Sequence, residues 1–178
     1  MKALRTIRLD SSDTFLFENA AQPGEWAVSG AYVFASIDPG GLKGKARAAF
    51  RSGFLGIESL GWSTLVQVVE ATEAERARAV DVLAHHLRER FGAPNLAMAR
   101  AAAEQEIEFA VSLADHPSGM LAAVSRRSEG GSIRESFRSL CPAADKPTSA
   151  YAFLQASAEE EQPAEEVDLI SLARRVAR

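Results

Sequence analysis

The stretch LGWSTLVQVVEATEAERARAVDVLAHHLRERFG, residues 60–92, carries the two clearest structural patterns of the chain. Its first part, 60–71, is rich in β-branched residues and nearly continuous in apolar character, as expected of a central strand. Its second part has apolar residues at helical spacing and predicts an amphipathic helix over 73–91. A helix that follows a buried strand directly indicates a sheet with helices packed on it.

The helix over 73–91 has signals at both of its ends. Thr72 and Glu75 form a capping box, in which each side chain accepts a hydrogen bond from the other residue's backbone N–H. Gly92 is suited to ending the helix, and Pro94 prevents its continuation. The apolar stripe that faces the sheet consists of Val80, Leu83, Ala84, Leu87 and Phe91.

Outward from this stretch, short apolar runs between polar turns predict five further strands. They lie over 3–9, 13–17, 25–36, 119–126 and 150–156. The turn Glu129-Gly130-Gly131-Ser132 follows the fourth of them, and Ser132 with Glu135 has the spacing of a second capping box. We therefore predict a short helix over 133–140.

Residues 94–115 fit two patterns. The alanine-rich part over 99–105 favours a helix, whereas the alternation over 106–113 has the period of a strand. A helix here would be apolar on two sides, as in an element buried between layers or in a dimer interface. We favour the helix, and a hairpin through 115–119 is the alternative.

Taken together, the patterns predict an α+β fold. We expect a largely antiparallel sheet of about five or six strands packed against helices in two or three layers. Residues 1–156 would form a single α+β domain. Residues 157–178 would form an acidic linker and a C-terminal amphipathic helix over 165–177 that packs on this domain.

The composition excludes several classes of protein. The chain has 178 residues, a net charge of −4 and one cysteine, Cys141. This balance argues against nucleic acid as a partner, and a lone cysteine cannot form an intramolecular disulfide. Because the sequence has neither a signal-peptide pattern nor an uncharged apolar run of membrane-spanning length, we expect a cytoplasmic protein without membrane contact.

One segment, 40–53, contains four basic side chains and no acidic one. It predicts a helix over 42–52. The glycine and lysine positions resemble a phosphate-binding P-loop, but Gly40 is one residue too close to Gly44, and Ala46 replaces the hydroxyl residue that would hold magnesium. The alternatives that remain are a solvated basic face and an anion site formed by Lys43, Lys45, Arg47 and Arg51.

Other candidate chemistry is weak. His85 and His86 point in different directions from the predicted helix, so we expect no metal site. No serine or cysteine has a recognisable partner set for nucleophilic catalysis, so we predict no catalytic residue and no cofactor.

An apolar, glycine-spaced loop follows the basic helix. Large apolar residues in a flexible loop are typical of a pocket wall or a contact surface, and equally of a connection folded onto the core. The candidate contact residues are Phe54, Leu55, Ile57 and Trp62.

Two runs, EWAVSGA over 25–31 and GWSTLVQVV over 61–69, resemble an uncharacterised family of small bacterial proteins. The resemblance extends over most of the chain. It implies no activity, cofactor or site residue. An association of this family with accessory genes for redox metalloenzymes implies at most a supporting role.

These observations lead to two hypotheses. The first is a non-catalytic cytoplasmic accessory or binding protein, a homodimer or the partner of another protein, that acts through protein–protein contact. The second is a small-molecule binder or enzyme that holds an anionic ligand on the basic face over 43–51.

Overall fold

A computed structural model of the chain describes residues 1–142 and 154–156, and it confirms the α+β class. The described helices are α1 (Ser12–Leu16), α2 (Gly44–Ser52), α3 (Glu73–Arg90) and α4 (Leu96–Leu113). The described strands are β1 (Lys2–Thr6), β2 (Ala27–Val28), β3 (Phe54–Gly56), β4 (Trp62–Ser63), β5 (Leu65–Glu70), β6 (Leu121–Glu129), β7 (Ser132–Pro142) and β8 (Leu154–Ala156).

The strands form two antiparallel sheets. The larger has five strands in the order β1-β5-β6-β7-β8, and the smaller has three in the order β2-β3-β4. The two sheets meet beside β1, where Arg5 bridges to Trp26 just before β2. The backbone N–H of Thr6 donates to the Glu25 carbonyl at 2.9 Å, which ties the edge of the larger sheet to the smaller one.

The core lies on both sides of β1. Ala3 belongs to an apolar cluster with Trp26 and the buried faces of α3 and α4. Leu4, the next residue, points to the opposite side and packs in a second cluster with Val68 and Val124. Because both faces of this strand are buried, it joins the helical layer to the interior of the larger sheet.

The two long helices have the predicted positions. In the capping box of α3, the Glu75 N–H donates to Thr72 Oγ1 at 3.2 Å and the Thr72 N–H donates to the Glu75 carboxylate at 2.8 Å. Residues 96–113 form α4, so the helix is confirmed and the alternative hairpin is wrong. The Asn95 side chain caps α4 by accepting from the Met98 N–H at 2.9 Å.

Two predicted strands near the N-terminus are wrong in part or in full. Residues 12–16 form α1 instead of a strand. Asp13 is buried there, and its carboxylate accepts a hydrogen bond from the Thr64 hydroxyl at 2.8 Å. The long strand predicted over 25–36 contains only β2 and then turns into a 3-10 helix over 31–34. Gly30 causes the change, since its φ of +76° ends the extended backbone.

The helix predicted over 133–140 is also wrong, because this segment lies within β7. Gly130 and Gly131 have φ values of +58° and +81°, as a two-residue hairpin turn requires. The turn pairs β6 with β7, and Glu135 lies directly opposite Arg126 in the register. Glu135 is therefore a cross-strand partner and not part of a helix cap.

The remaining predicted elements overlap described ones or lie outside them. The strand predicted over 60–71 is not continuous, because it divides into β4 of the smaller sheet and β5 of the larger one. The strand over 3–9 overlaps β1, the one over 119–126 overlaps β6, and the one over 150–156 overlaps β8. The basic helix begins at Gly44, with Lys43 in the N-cap position. The acidic linker and the helix over 165–177 lie outside the described residues.

We predict that Thr72→Ala lowers the free energy of unfolding by about 1 kcal/mol, because the first turn of α3 loses its side-chain acceptor. Urea denaturation followed by circular dichroism measures the change. Glu73→Gln, in the same turn but outside the cap, is the control and should cost only a few tenths of a kcal/mol. Equal losses in both variants would contradict this role of the capping box.

Candidate functional site

Arg126 on β6 has a side chain with 0% exposure. Its Nε donates to Glu135 Oε1 at 2.6 Å. Its Nη1 donates to the carbonyls of Gly53 at 2.7 Å and Phe50 at 3.2 Å, and its Nη2 donates to the carbonyl of Ser29. Carbonyls at the end of a helix have no partner within the helix, so Arg126 closes the C-terminal end of α2 and holds it on the larger sheet.

Glu135 and Ser29 complete this arrangement, which we call the Arg126 cluster (Ser29, Arg126 and Glu135). The Ser29 hydroxyl donates to Glu135 Oε1 at 2.6 Å and accepts from the Ala31 N–H at 3.2 Å. A buried charge is tolerated only when it is paired and hydrogen-bonded, and here both conditions are met. The cluster fixes the β6–β7 hairpin, the end of α2 and the backbone before residue 31 relative to one another.

Glu106 on α4 lies near the Arg126 cluster but is not part of it. Its side chain is half-buried, and no described residue donates a hydrogen bond to its carboxylate. Burial raises the pKa of Glu106, the negative charge of Glu135 raises it further, and the positive charge of Arg126 lowers it in part. Glu106 is therefore an acid without a partner among the described residues, beside an ion pair that is already complete.

Tyr32, in the 3-10 turn, is the second polar group without a described partner. Its hydroxyl is buried and makes no hydrogen bond within the described part of the chain. Burial is the main cause that raises the pKa of Tyr32, and the negative charge of Glu106 adds to it. The ring packs edge-on against Phe91 with centroids 5.4 Å apart, which fixes its position.

Glu106 and Tyr32 both line a cavity of about 450 Å³, which we call the Glu106 pocket. Its walls come from the 3-10 turn and the segment after it, from the tip of the β6–β7 hairpin and from α4. The volume falls within the range of known ligand pockets. The residues that line it include Tyr32, Phe34, Ile37, Glu106, Ser128 and Ile133.

Two apolar side chains at the Glu106 pocket are open to solvent. Ile37 lines the pocket and is 45% exposed. Phe91, which is 38% exposed, packs on Tyr32, another lining residue. We call Ile37 and Phe91 the apolar rim. Phe109 is also exposed, but its ring packs on Phe137 with centroids 5.8 Å apart and it does not line the pocket.

The residues of the predicted anion site lie away from this pocket. Lys43, Lys45, Arg47 and Arg51 are all exposed, and none of them lines a described cavity. Lys45 Nζ donates to the Phe17 carbonyl at 3.3 Å, which holds α2 against the end of α1. The structure therefore places the basic side chains on a solvated helix face.

The candidate contact residues lie mostly in the interior. Phe54, Leu55 and Ile57 are buried, and Trp62 is half-buried against the same core. The glycines between them permit close packing, since a Cβ atom at Gly61 would lie 2.6 Å from the backbone of Ala20. The glycine spacing thus serves tight packing of β3 and β4.

Other reactive groups form no site in the described part of the chain. Ser139 Oγ lies 2.9 Å from His116 Nε2, but no described acid orients the imidazole. Cys141 is exposed, with its Sγ 3.1 Å from the sulfur of Met120. Over residues 1–142 and 154–156, no three His, Cys, Asp or Glu side chains converge as metal ligands would.

Tyr32, Glu106, Arg126 and Glu135 were not among the site residues predicted from the sequence. The sequence contains one signal for Glu106, since its spacing from three alanines of α4 is helical. It lies seven residues after Ala99, three after Ala103 and four before Ala110. All three alanines are buried on one side of α4. A carboxylate within such a stripe indicates a buried acid. Arg126 and Glu135 gave no such signal, because their pairing depends on the hairpin register.

Comparison with known proteins places the chain in a family. Residues 1–156 match the model of DUF6505, a family of unknown function, so the chain belongs to it and the resemblance to an uncharacterised family is confirmed. No curated protein and no solved structure matches the chain. Within the described residues, none of the helices has the length and apolar character needed to cross a bilayer.

We predict that Arg126→Met destabilises the fold by about 3–5 kcal/mol, because it leaves the Glu135 carboxylate and several carbonyls without their donor. Arg127→Met is the matched control on the adjacent residue, whose side chain is 75% exposed, and should change stability by no more than about 0.5 kcal/mol. Chemical denaturation of both variants gives the comparison. Similar losses would show that the buried cluster has no special role.

A second prediction concerns Glu106. Because its pKa is raised in the folded state, the folded protein binds more protons than the unfolded chain, and stability is lost as pH rises through the folded pKa. Glu106→Gln should remove this loss, so the variant gains stability relative to wild type as pH increases from about 4 to 7.5. Denaturation at several pH values measures the difference.

Glu104→Gln makes the same change of charge at an exposed position of α4 and is the control. A stability difference between wild type and Glu106→Gln that stays constant with pH would contradict the prediction.

Proposed function

We propose that this member of the DUF6505 family is a non-catalytic binding protein that docks a segment of a partner protein in the Glu106 pocket. The observation that carries the proposal is a concave cavity with apolar and polar walls, beside which the side chains of Ile37 and Phe91 are exposed. Exposed apolar side chains at the edge of a pocket are typical of interaction sites. A cytoplasmic accessory role, such as the support of a redox metalloenzyme, is part of this proposal.

The chemistry of the pocket favours binding over catalysis. Its described lining includes the Glu106 carboxyl, which has no described partner and can hold a ligand, but no activated nucleophile. The serine–histidine contact at Ser139 lies six residues along β7 from Ile133, which lines the pocket. At the rise of a β-strand, this separation is about 20 Å, too far to act on a ligand in the pocket.

The rim favours a protein segment over a small molecule. A small ligand could fill the cavity and still leave Phe91 in water. A chain segment that crosses the rim would cover Phe91 while one of its side chains enters the pocket, and apolar burial contributes roughly 25 cal/mol per Å². A homodimer, in which a second copy covers the rim, is the competing arrangement.

The alternative function, an anionic ligand on the face formed by Lys43, Lys45, Arg47 and Arg51, stays a prediction. Its support is the absence of acidic residues over 40–53. The exposed position of all four side chains gives a ligand no enclosing wall, so we favour the Glu106 pocket.

The test uses peptides selected from a random display library against the full chain. We predict that Ile37→Asn weakens the selected peptides by about tenfold or more, equivalent to about 1.4 kcal/mol, because it replaces an apolar side chain on the rim with an uncharged polar one. Calorimetric titration measures the affinities. Phe15→Asn replaces an apolar side chain that is 76% exposed and does not line the pocket, so it should leave them unchanged.

Two outcomes would contradict the proposal. One is a set of peptides that bind Ile37→Asn as tightly as wild type. The other is a stable dimer in analytical ultracentrifugation that Ile37→Asn dissociates, because the pocket would then be covered by a second copy.

A further inference from the structure

We infer that the partner segment enters the Glu106 pocket with a basic side chain, a lysine or an arginine, whose charged head meets the Glu106 carboxylate. The aliphatic stem of that side chain would lie on Phe34 and Ile133. This inference rests on the proposed function and names the chemistry of its partner.

The charge of the site favours a cation. The guanidinium of Arg126 donates to Glu135, to the carbonyls at the end of α2 and to Ser29. Few of its N–H groups therefore remain to bind a ligand anion. Glu106 adds a carboxylate that accepts no hydrogen bond from a described residue. It would repel a ligand carboxylate or phosphate, whereas an ammonium or guanidinium would pair with it.

The shape of the site fits a long basic side chain. Lysine and arginine cover apolar surface with their methylene groups while the charged head reaches a polar partner. Phe34, Ile37 and Ile133 provide the apolar surface, and Glu106 is the acid that shares their cavity.

Binding of a cation should be coupled to the ionisation of Glu106. The charged and titratable groups that act on this carboxyl are Glu135 and Arg126 from the hairpin, and its charge acts in turn on Tyr32 from the 3-10 turn. Burial raises the pKa of Glu106, so its protonated form persists to higher pH in the folded protein than in the unfolded chain. A cation binds the ionised form, so its affinity should fall as pH decreases through that pKa.

The test follows ¹H–¹⁵N spectra of the full chain during titration with capped single amino acids as probes. N-acetyl-lysine methylamide and its arginine analogue should shift the Tyr32, Glu106 and Ile133 resonances. N-acetyl-norleucine methylamide, which has the stem without the charge, should bind about tenfold more weakly or worse. Glu106→Gln should weaken the lysine probe to the same extent, while Glu104→Gln should leave its affinity unchanged.

A second measurement does not depend on a variant. The affinity of wild type for the lysine probe should fall progressively as pH is lowered from about 7.5 to 4, while the affinity for the norleucine probe should stay constant. Affinity for the lysine probe that does not change with pH would overturn the inference.

The outcomes separate this inference from the function on which it rests. Selected peptides that depend on Ile37 but contain no preferred basic residue would overturn the inference and leave the docking function intact. Selected peptides that do not depend on Ile37 would remove the docking function itself. If n-butylamine binds as tightly as the best lysine-containing peptide, the ligand of the pocket is a free amine and not a protein segment, and the inference is overturned.

Discussion

The buried ion pair between Arg126 and Glu135 is the interaction on which the arrangement of this molecule depends. Removing two charges from water costs several kcal/mol for each ion, and attraction offsets that cost only when the remaining donors and lone pairs are also satisfied. Here the guanidinium also donates to the end of α2 and to Ser29. One side chain therefore holds a hairpin, a helix end and a turn in fixed relative positions, and these parts support two of the three walls of the Glu106 pocket.

The same pairing explains the electrostatics of the site. Because Arg126 is fully used by Glu135 and by backbone carbonyls, its positive charge offsets only part of the effect of burial on Glu106. The pocket thus combines a rigid support with an acid that lacks a described partner and an apolar rim that is open to solvent. Within a family of unknown function, this combination supports a binding role, because it offers a ligand both shape and one specific charge.

Elements held by interactions between residues close together in the chain could be predicted from the sequence, whereas those that depend on distant contacts could not. The helix α3 could be predicted because its cap and its apolar stripe lie within the helix itself. The segment over 133–140 was misread because Ser132 and Glu135 have the local spacing of a capping box, whereas the real partner of Glu135 is reached across the hairpin turn at Gly130 and Gly131. The strand predicted over 25–36 failed for a related reason, since Gly30 changes the direction of a backbone whose side chains still alternate.

The sequence by itself determined the α+β class, an apolar strand region before α3 and the position of α3, because periodicity and capping are encoded by residues a few positions apart. It favoured α4 over a hairpin without deciding between them, because residues 94–115 fit both periods. It also showed that α2 carries basic residues, but it did not show whether they surround a ligand. Only the tertiary structure decided that Arg126 is buried, that it meets the Ser29 carbonyl 97 residues away, and that Glu106 and Tyr32 share one pocket. Contacts at such separations depend on strand register and on the packing of distant elements, and no local pattern in the chain specifies either of them.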